Sequence, residues 1–93
     1  MRLDVFLVSS RLIKRRSLAQ EFCEKGLVRV NGTEAKSAKE IKAGDAIEID
    51  RRNETAQVRI VKIPGSKQVS KDDAGTLFEI LSVEKKLEAD PLS

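Results

Sequence analysis

Near the amino end of the chain, Leu3, Phe6 and Leu7 fall at i, i+3 and i+4, the spacing of one helix face. Asp4 is a candidate cap for that helix, with Leu3 and Val8 placed as a hydrophobic staple. Ser9 and Ser10 should end it, because their hydroxyls compete for backbone hydrogen bonds. A second apolar stripe, Leu18, Ala19, Phe22 and Cys23, predicts another helix that turns Gln20, Glu21 and Glu24 to water. Ser17 and Gln20 have capping-box spacing, Lys25 suits the carboxyl end, and Gly26 supplies a left-handed stop.

After Gly26 the period changes to that of a strand. Leu27–Val30 sets Val28 and Val30 against Arg29, and Asn31-Gly32 is a hairpin signal because both residues tolerate positive φ. A short return strand is expected near Glu34–Lys36, a second turn at Gly44-Asp45, and a strand over Ala46–Asp50 through Ile47 and Ile49. Residues 51–55 read as a polar turn, and Gln57–Ile63 alternates again through Val58 and Ile60 up to Pro64-Gly65. Residues 64–76 are polar and read as a loop. Leu77–Val83 fits a helix through Leu77, Ile80 and Leu81, but Phe78 and Val83 suit a strand returning beside 57–63, which is the reading adopted. The pattern is that of one α+β domain: residues 1–63 form the main unit, 64–83 complete it with a loop and return strand, and 84–93 form a flexible tail.

Composition narrows the chemistry. With 93 residues there is room for one small core. The only aromatics are three phenylalanines, which argues against base-stacking platforms. No apolar run reaches membrane-spanning length and the N-terminus lacks a signal-peptide pattern, so a cytoplasmic protein without membrane contact is expected. A single cysteine permits no internal disulfide, and Cys23 lies on an apolar stripe as a buried, inert thiol. The absence of histidine leaves little room for a metal site or for a Ser–His or Cys–His pair. Asp4, Asp45 and Asp50 are accounted for as cap and turn residues, and no glycine-rich phosphate loop is present. No catalytic residue, cofactor or small-molecule substrate is therefore expected.

Charge points to a partner instead. The net charge is only +3, yet residues 1–32 hold seven basic groups against three acids, while the remainder holds eleven against twelve. Lys14, Arg15 and Arg16 stand together at a helix start, where cations are mildly unfavourable unless something negative is nearby. Unpaired helix amides plus two guanidinium forks and an ammonium make a phosphate site, and Arg2 and Arg11 widen it into a patch for spaced phosphates, hence nucleic acid. The plain alternative is that these side chains splay into solvent, leaving a protein-interaction module with an incidental basic face. Arg51 and Arg52 read as a solvated turn, and Lys36, Lys39 and Lys42, although placed where they could border the patch, read as solvated charges without a specific role.

Four ordered segments carry a family resemblance: RLDVFL at 2–7, RLIKRRSLA at 11–19, G-x-V-x-V-N-G at 26–32 and GD-x-I at 44–47. The chain resembles the RNA-binding domain named after the fourth protein of the small ribosomal subunit, over about residues 1–50. That likeness implies two short N-terminal helices on a small, strongly bent, antiparallel-rich sheet (the alpha-L RNA-binding motif), followed by a C-terminal strand pair. Among stand-alone bacterial members it is most similar to the RqcP family of ribosome-associated quality control, and next to the fifteen-kilodalton heat-shock family. The latter has a longer basic extension, whereas residues 64–93 here hold four bases and six acids. The resemblance implies binding to structured rRNA and tRNA on the large ribosomal subunit, by a monomer working with RqcH. A heat-stress recycling factor for large subunits is the alternative. Carried over by position, the RNA-contact surface falls on Arg2, Arg11, Lys14, Arg16 and the Asn31-Gly32 turn. The chain departs from the family at Val5, usually a basic residue, and at Arg15, often a serine.

Overall fold

Alternation along the strands decides which side of the sheet is buried. In the computed structural model, which describes residues 1–65 and 69–85, helices α1 (Leu3–Ser9) and α2 (Arg16–Glu24) precede β1 (Val28–Val30), β2 (Thr33–Glu34), β3 (Ala46–Asp50) and β4 (Glu54–Ile60). A single-turn helix α3 (Lys71–Ala74) and strand β5 (Phe78–Lys85) follow. The strands form one antiparallel sheet in the order β2-β1-β3-β4-β5. Val28 pairs with Ile49, Val30 with Ile47, and Ile47 with Val58, so cross-strand partners stack apolar side chains on one face. The opposite face carries the row Arg29, Glu48, Gln57 and Ser82.

The helices cover the apolar face. Leu3, Phe6 and Leu7 of α1, Ala19 and Cys23 of α2, and Ile13 between them pack on Val28, Val30, Ile47, Ile49, Val58 and Ile60. Cover gives out at β5. Ile80 stands opposite the buried Val58 and Val83 opposite Ala56, yet both are exposed, as is Leu81 where the register shifts.

Helices α1 and α2 both end on left-handed residues. At the end of α2, Gly26 (φ +73°) lets its amide reach the Cys23 carbonyl at 3.1 Å and the Leu27 amide reach Phe22 at 2.9 Å. This is the paired closure that glycine permits at lowest cost. At the end of α1 the same position is held by Arg11 at φ +62°, whose amide bonds Val8 at 3.0 Å. An L-residue there costs on the order of 1–2 kcal/mol. Gly26→Val is expected to lower stability by about 1 kcal/mol or more, read as a shifted denaturation midpoint at constant slope. The new Cβ would lie 2.9 Å from the Glu34 carboxylate, a flexible end that can swing aside, so the backbone angle dominates.

Several local expectations are corrected. Arg2, not Asp4, is the N-cap of α1, and Asp4 lies inside the first turn. The α1 amides need no N-cap side chain: Leu3 bonds the Lys39 carbonyl at 2.8 Å and Asp4 the Ser37 carbonyl at 3.1 Å, while Val5 bonds the Asp4 carboxylate at 2.8 Å. Arg15 is the N-cap of α2 and Ser17 lies within the helix, because the chain is already helical at Arg16. The return strand is Thr33–Glu34, one step earlier than expected, since it pairs directly across the Asn31-Gly32 turn. Strand β4 starts at Glu54 inside the expected polar turn and stops at Ile60. The expected loop 64–76 contains α3, capped by Ser70, whose Oγ accepts from the Asp73 amide at 3.1 Å. Leu77–Val83 is strand in all but its first residue, and β5 continues to Lys85, into the segment read as a tail. The rest of that tail, 86–93, lies outside the described residues.

Candidate nucleic-acid interface

The starts of α1 and α2 meet at one buried carboxylate. Asp4 is fully buried, and its Oδ1 accepts from the Val5 amide at 2.8 Å and from Arg2 Nε at 3.2 Å. Its Oδ2 accepts from Arg16 Nε at 3.2 Å, Gln20 Nε2 at 3.0 Å and Arg2 Nη2 at 3.4 Å. Burial pushes the Asp4 pKa up, but hydrogen bonds from Gln20 and Arg16 and the charges of Arg2 and Arg16 outweigh it, leaving it below the ordinary value. Gln20, expected to face water, is thus drawn inward as a fourth partner of this carboxylate. The helix that looked overloaded with cations has its counter-charge on the neighbouring helix.

Arg2 and Arg16 remain about half exposed despite this anchoring. Lys14 and Arg15 are exposed in the connection to α2, which begins with no side-chain cap on its leading amides. Arg11 is exposed beside an open groove of about 650 Å³ lined by Val8, Ile13, Lys14 and Val69, and its Nη2 lies 3.4 Å from the Val69 carbonyl. Five of the seven expected site residues therefore sit on the helix side of the molecule, along the start of α1 and the α1–α2 connection.

The other two are placed differently. Asn31 (φ +53°) and Gly32 (φ +86°) form the β1–β2 turn as expected. The Asn31 side chain is spent on the fold, accepting from the Ala46 amide at 3.0 Å and donating to Asp45 Oδ1 at 3.2 Å. A second groove places it beside Lys36 and Lys39. The segment carrying these lysines runs along the start of α1, where Ile41 bonds the Met1 carbonyl and the Met1 ammonium pairs with Glu40.

Arg51 was expected to be solvated, and it is not. Its Nη2 donates to the Leu12 carbonyl, and its Nε is buried with no partner among the described residues. It ties the β3–β4 turn to the basic connection, whereas Arg52 is exposed. Cys23 is buried as expected, and burial first, with the nearby Asp4 charge second, pushes its thiol up to about 11. A thiol held that high is protonated and unreactive at neutral pH.

Comparison with known proteins identifies the family. A family model for the S4 domain matches residues 1–47. The chain is 42% identical over 82 residues to the RQC P-site tRNA stabilizing factor of Streptococcus pneumoniae, covering 88% of this chain and 91% of that one. It is 45% identical over 80 residues to the protein of the same name from Halalkalibacterium halodurans, covering 86% and 89%. Among solved structures, heat shock protein 15 of Vibrio cholerae, described as trimeric, superposes with a TM-score of 0.80 at 30% identity, covering 88% of this chain and 82% of that one.

Proposed function

The chain belongs to the S4 domain family, and from that premise we propose that it is a non-catalytic RNA-binding factor that stabilises tRNA on the large ribosomal subunit during ribosome-associated quality control. The observation that carries this reading is the pair Arg2 and Arg16, brought from two helix starts to one buried carboxylate with their outer edges exposed. Charge-assisted forks of this kind suit phosphate oxygens on a structured backbone. Arg11, Lys14 and Arg15 extend the face along the helix connection, and the Asn31-Gly32 turn with Lys36 and Lys39 borders it. Nothing in this arrangement breaks a bond: it works by holding one geometry. In this reading the factor is a cytoplasmic monomer that acts together with RqcH in C-terminal tailing of the stalled nascent chain.

A second reading, large-subunit recycling under heat stress, is favoured by the superposition on heat shock protein 15. The near-complete span of the quality-control relatives and the acidic balance of residues 64–93 favour the first. Crosslinking in cells followed by sequencing of the attached RNA separates them. The proposal expects tRNA together with large-subunit rRNA, enriched when translation stalls. Recovery of rRNA alone, and only after heating, would support recycling. Recovery of no RNA would point to a protein-interaction module.

A further inference from the structure

We propose that Asp4 is a positioning residue for RNA: its carboxylate grips the inner edges of the Arg2 and Arg16 guanidinium groups and so fixes their outer edges as one paired phosphate clamp. The inference rests on the RNA-binding reading above and adds a residue whose own charge is repelled by RNA. Each guanidinium is a planar fork with five N–H donors. Arg16 gives Nε to Asp4, at 3.2 Å, and among the described residues its two terminal nitrogens have no partner, which leaves both for a ligand. Arg2 gives Nε at 3.2 Å and one Nη2 contact at 3.4 Å, and among the described residues its Nη1 has no partner, which leaves it for a ligand. The two side chains start from the beginnings of different helices and converge on this carboxylate, which lies twelve positions from Arg16 in the sequence.

Asp4 itself is held from several sides. It is fully buried, its Oδ1 is held by the Val5 amide of its own turn, and Gln20 holds Oδ2 at 3.0 Å. A free arginine on a surface loses rotamer freedom when it binds phosphate, and a fork already held along one edge has lost much of it beforehand. The carboxylate therefore helps binding although it subtracts one positive charge from the face.

That conflict of sign supplies the test. Asp4→Asn keeps the size of the side chain and raises the net charge by one. If charge alone mattered, RNA would bind as tightly or more tightly. Positioning predicts the reverse: the folded Asn variant binds large subunits about tenfold more weakly than wild type, and the Nε–H signals of Arg2 and Arg16 in nitrogen-15 spectra lose their slow solvent exchange. Folded Asp4→Asn binding like wild type or better, while Arg2→Ala and Arg16→Ala bind weakly, overturns the positioning role and leaves the RNA face standing. Wild-type binding by both alanine variants overturns the RNA face itself, and Asp4's role with it. Should Asp4→Asn fail to fold, Arg2→Lys and Arg16→Lys decide. Each keeps the charge, but an ammonium that pairs with Asp4 has no second edge to offer, so losses close to those of alanine support the clamp. Lysine variants that bind like wild type overturn it.

Discussion

Arg16→Ala is expected to weaken binding to large ribosomal subunits by roughly 1–3 kcal/mol, the range for a charge-assisted contact, and Arg2→Ala by a similar amount. Titration at several salt concentrations should also show a slope reduced by about one phosphate's worth for each variant. The stability of these variants is where the structure reverses the simpler expectation. Removing a cation from a helix start ought to be neutral or slightly stabilising. Here the cation also satisfies a buried carboxylate, and its loss leaves Asp4 with Gln20, the Val5 amide and the other arginine. Because Arg16 is about half exposed, solvent replaces part of what is lost, and a penalty of about 1 kcal/mol or less is expected. Both variants should thus remain folded at room temperature by circular dichroism, so any loss of binding is a loss of contact. Arg52→Ala is the appropriate control. Arg51→Ala is not, since Arg51 holds the Leu12 carbonyl beside the same face. A loss with Arg52→Ala as large as with Arg16→Ala would indicate diffuse attraction without a defined site.

The largest stability effect is expected at Phe6. It is fully buried and the bulkiest of the wholly enclosed side chains, at the centre of the α1 face that packs on the sheet. Phe6→Ala removes the ring and leaves a cavity that neighbours fill only in part, at a cost of about 3–5 kcal/mol. A domain of this size has on the order of 5–10 kcal/mol in total, so the variant should populate unfolded chain at moderate temperature. Urea denaturation followed by far-ultraviolet circular dichroism measures this directly. Phe22→Ala, on a partly exposed residue beside the same core, should cost clearly less. Equal midpoints for the two would contradict the packing described.

How much of this could be read from the sequence depends on how local the cause is. Gly26 and the Asn31-Gly32 turn were legible because a positive φ is a property of one or two residues. The apolar stripes were legible because period alone fixes the buried face. Asp4 was read as a cap because a carboxylate near a helix start usually is one, and the partners that bury it lie as far as sixteen positions away. Gln20 was assigned to water for the same reason: its position on the margin of the helix stripe says nothing of a carboxylate on the neighbouring helix. Ser17 satisfies the capping-box pattern but lies two residues past the N-cap. Arg51 reaches across 39 positions, and no local rule reports such a contact. Among the candidate site residues, the identities were accessible from charge and pattern, whereas their shared anchor belongs to tertiary structure.

The strand order β2-β1-β3-β4-β5 bears on how the chain finds this structure. Every neighbouring pair joins strands consecutive in sequence except β1 and β3, and only the short β2 intervenes there. Two of the four pairings, β1 with β2 and β3 with β4, close tight turns, and short loops carry a small entropic penalty. The hairpins around Asn31-Gly32 and residues 51–53 pair strands that are close in sequence, and β5 adds at the edge of the sheet along β4. Folding is accordingly expected to be fast for a β-containing domain, as a refolding rate would show. The chain can reach its native form soon after synthesis, with no slow long-range strand crossing to wait for.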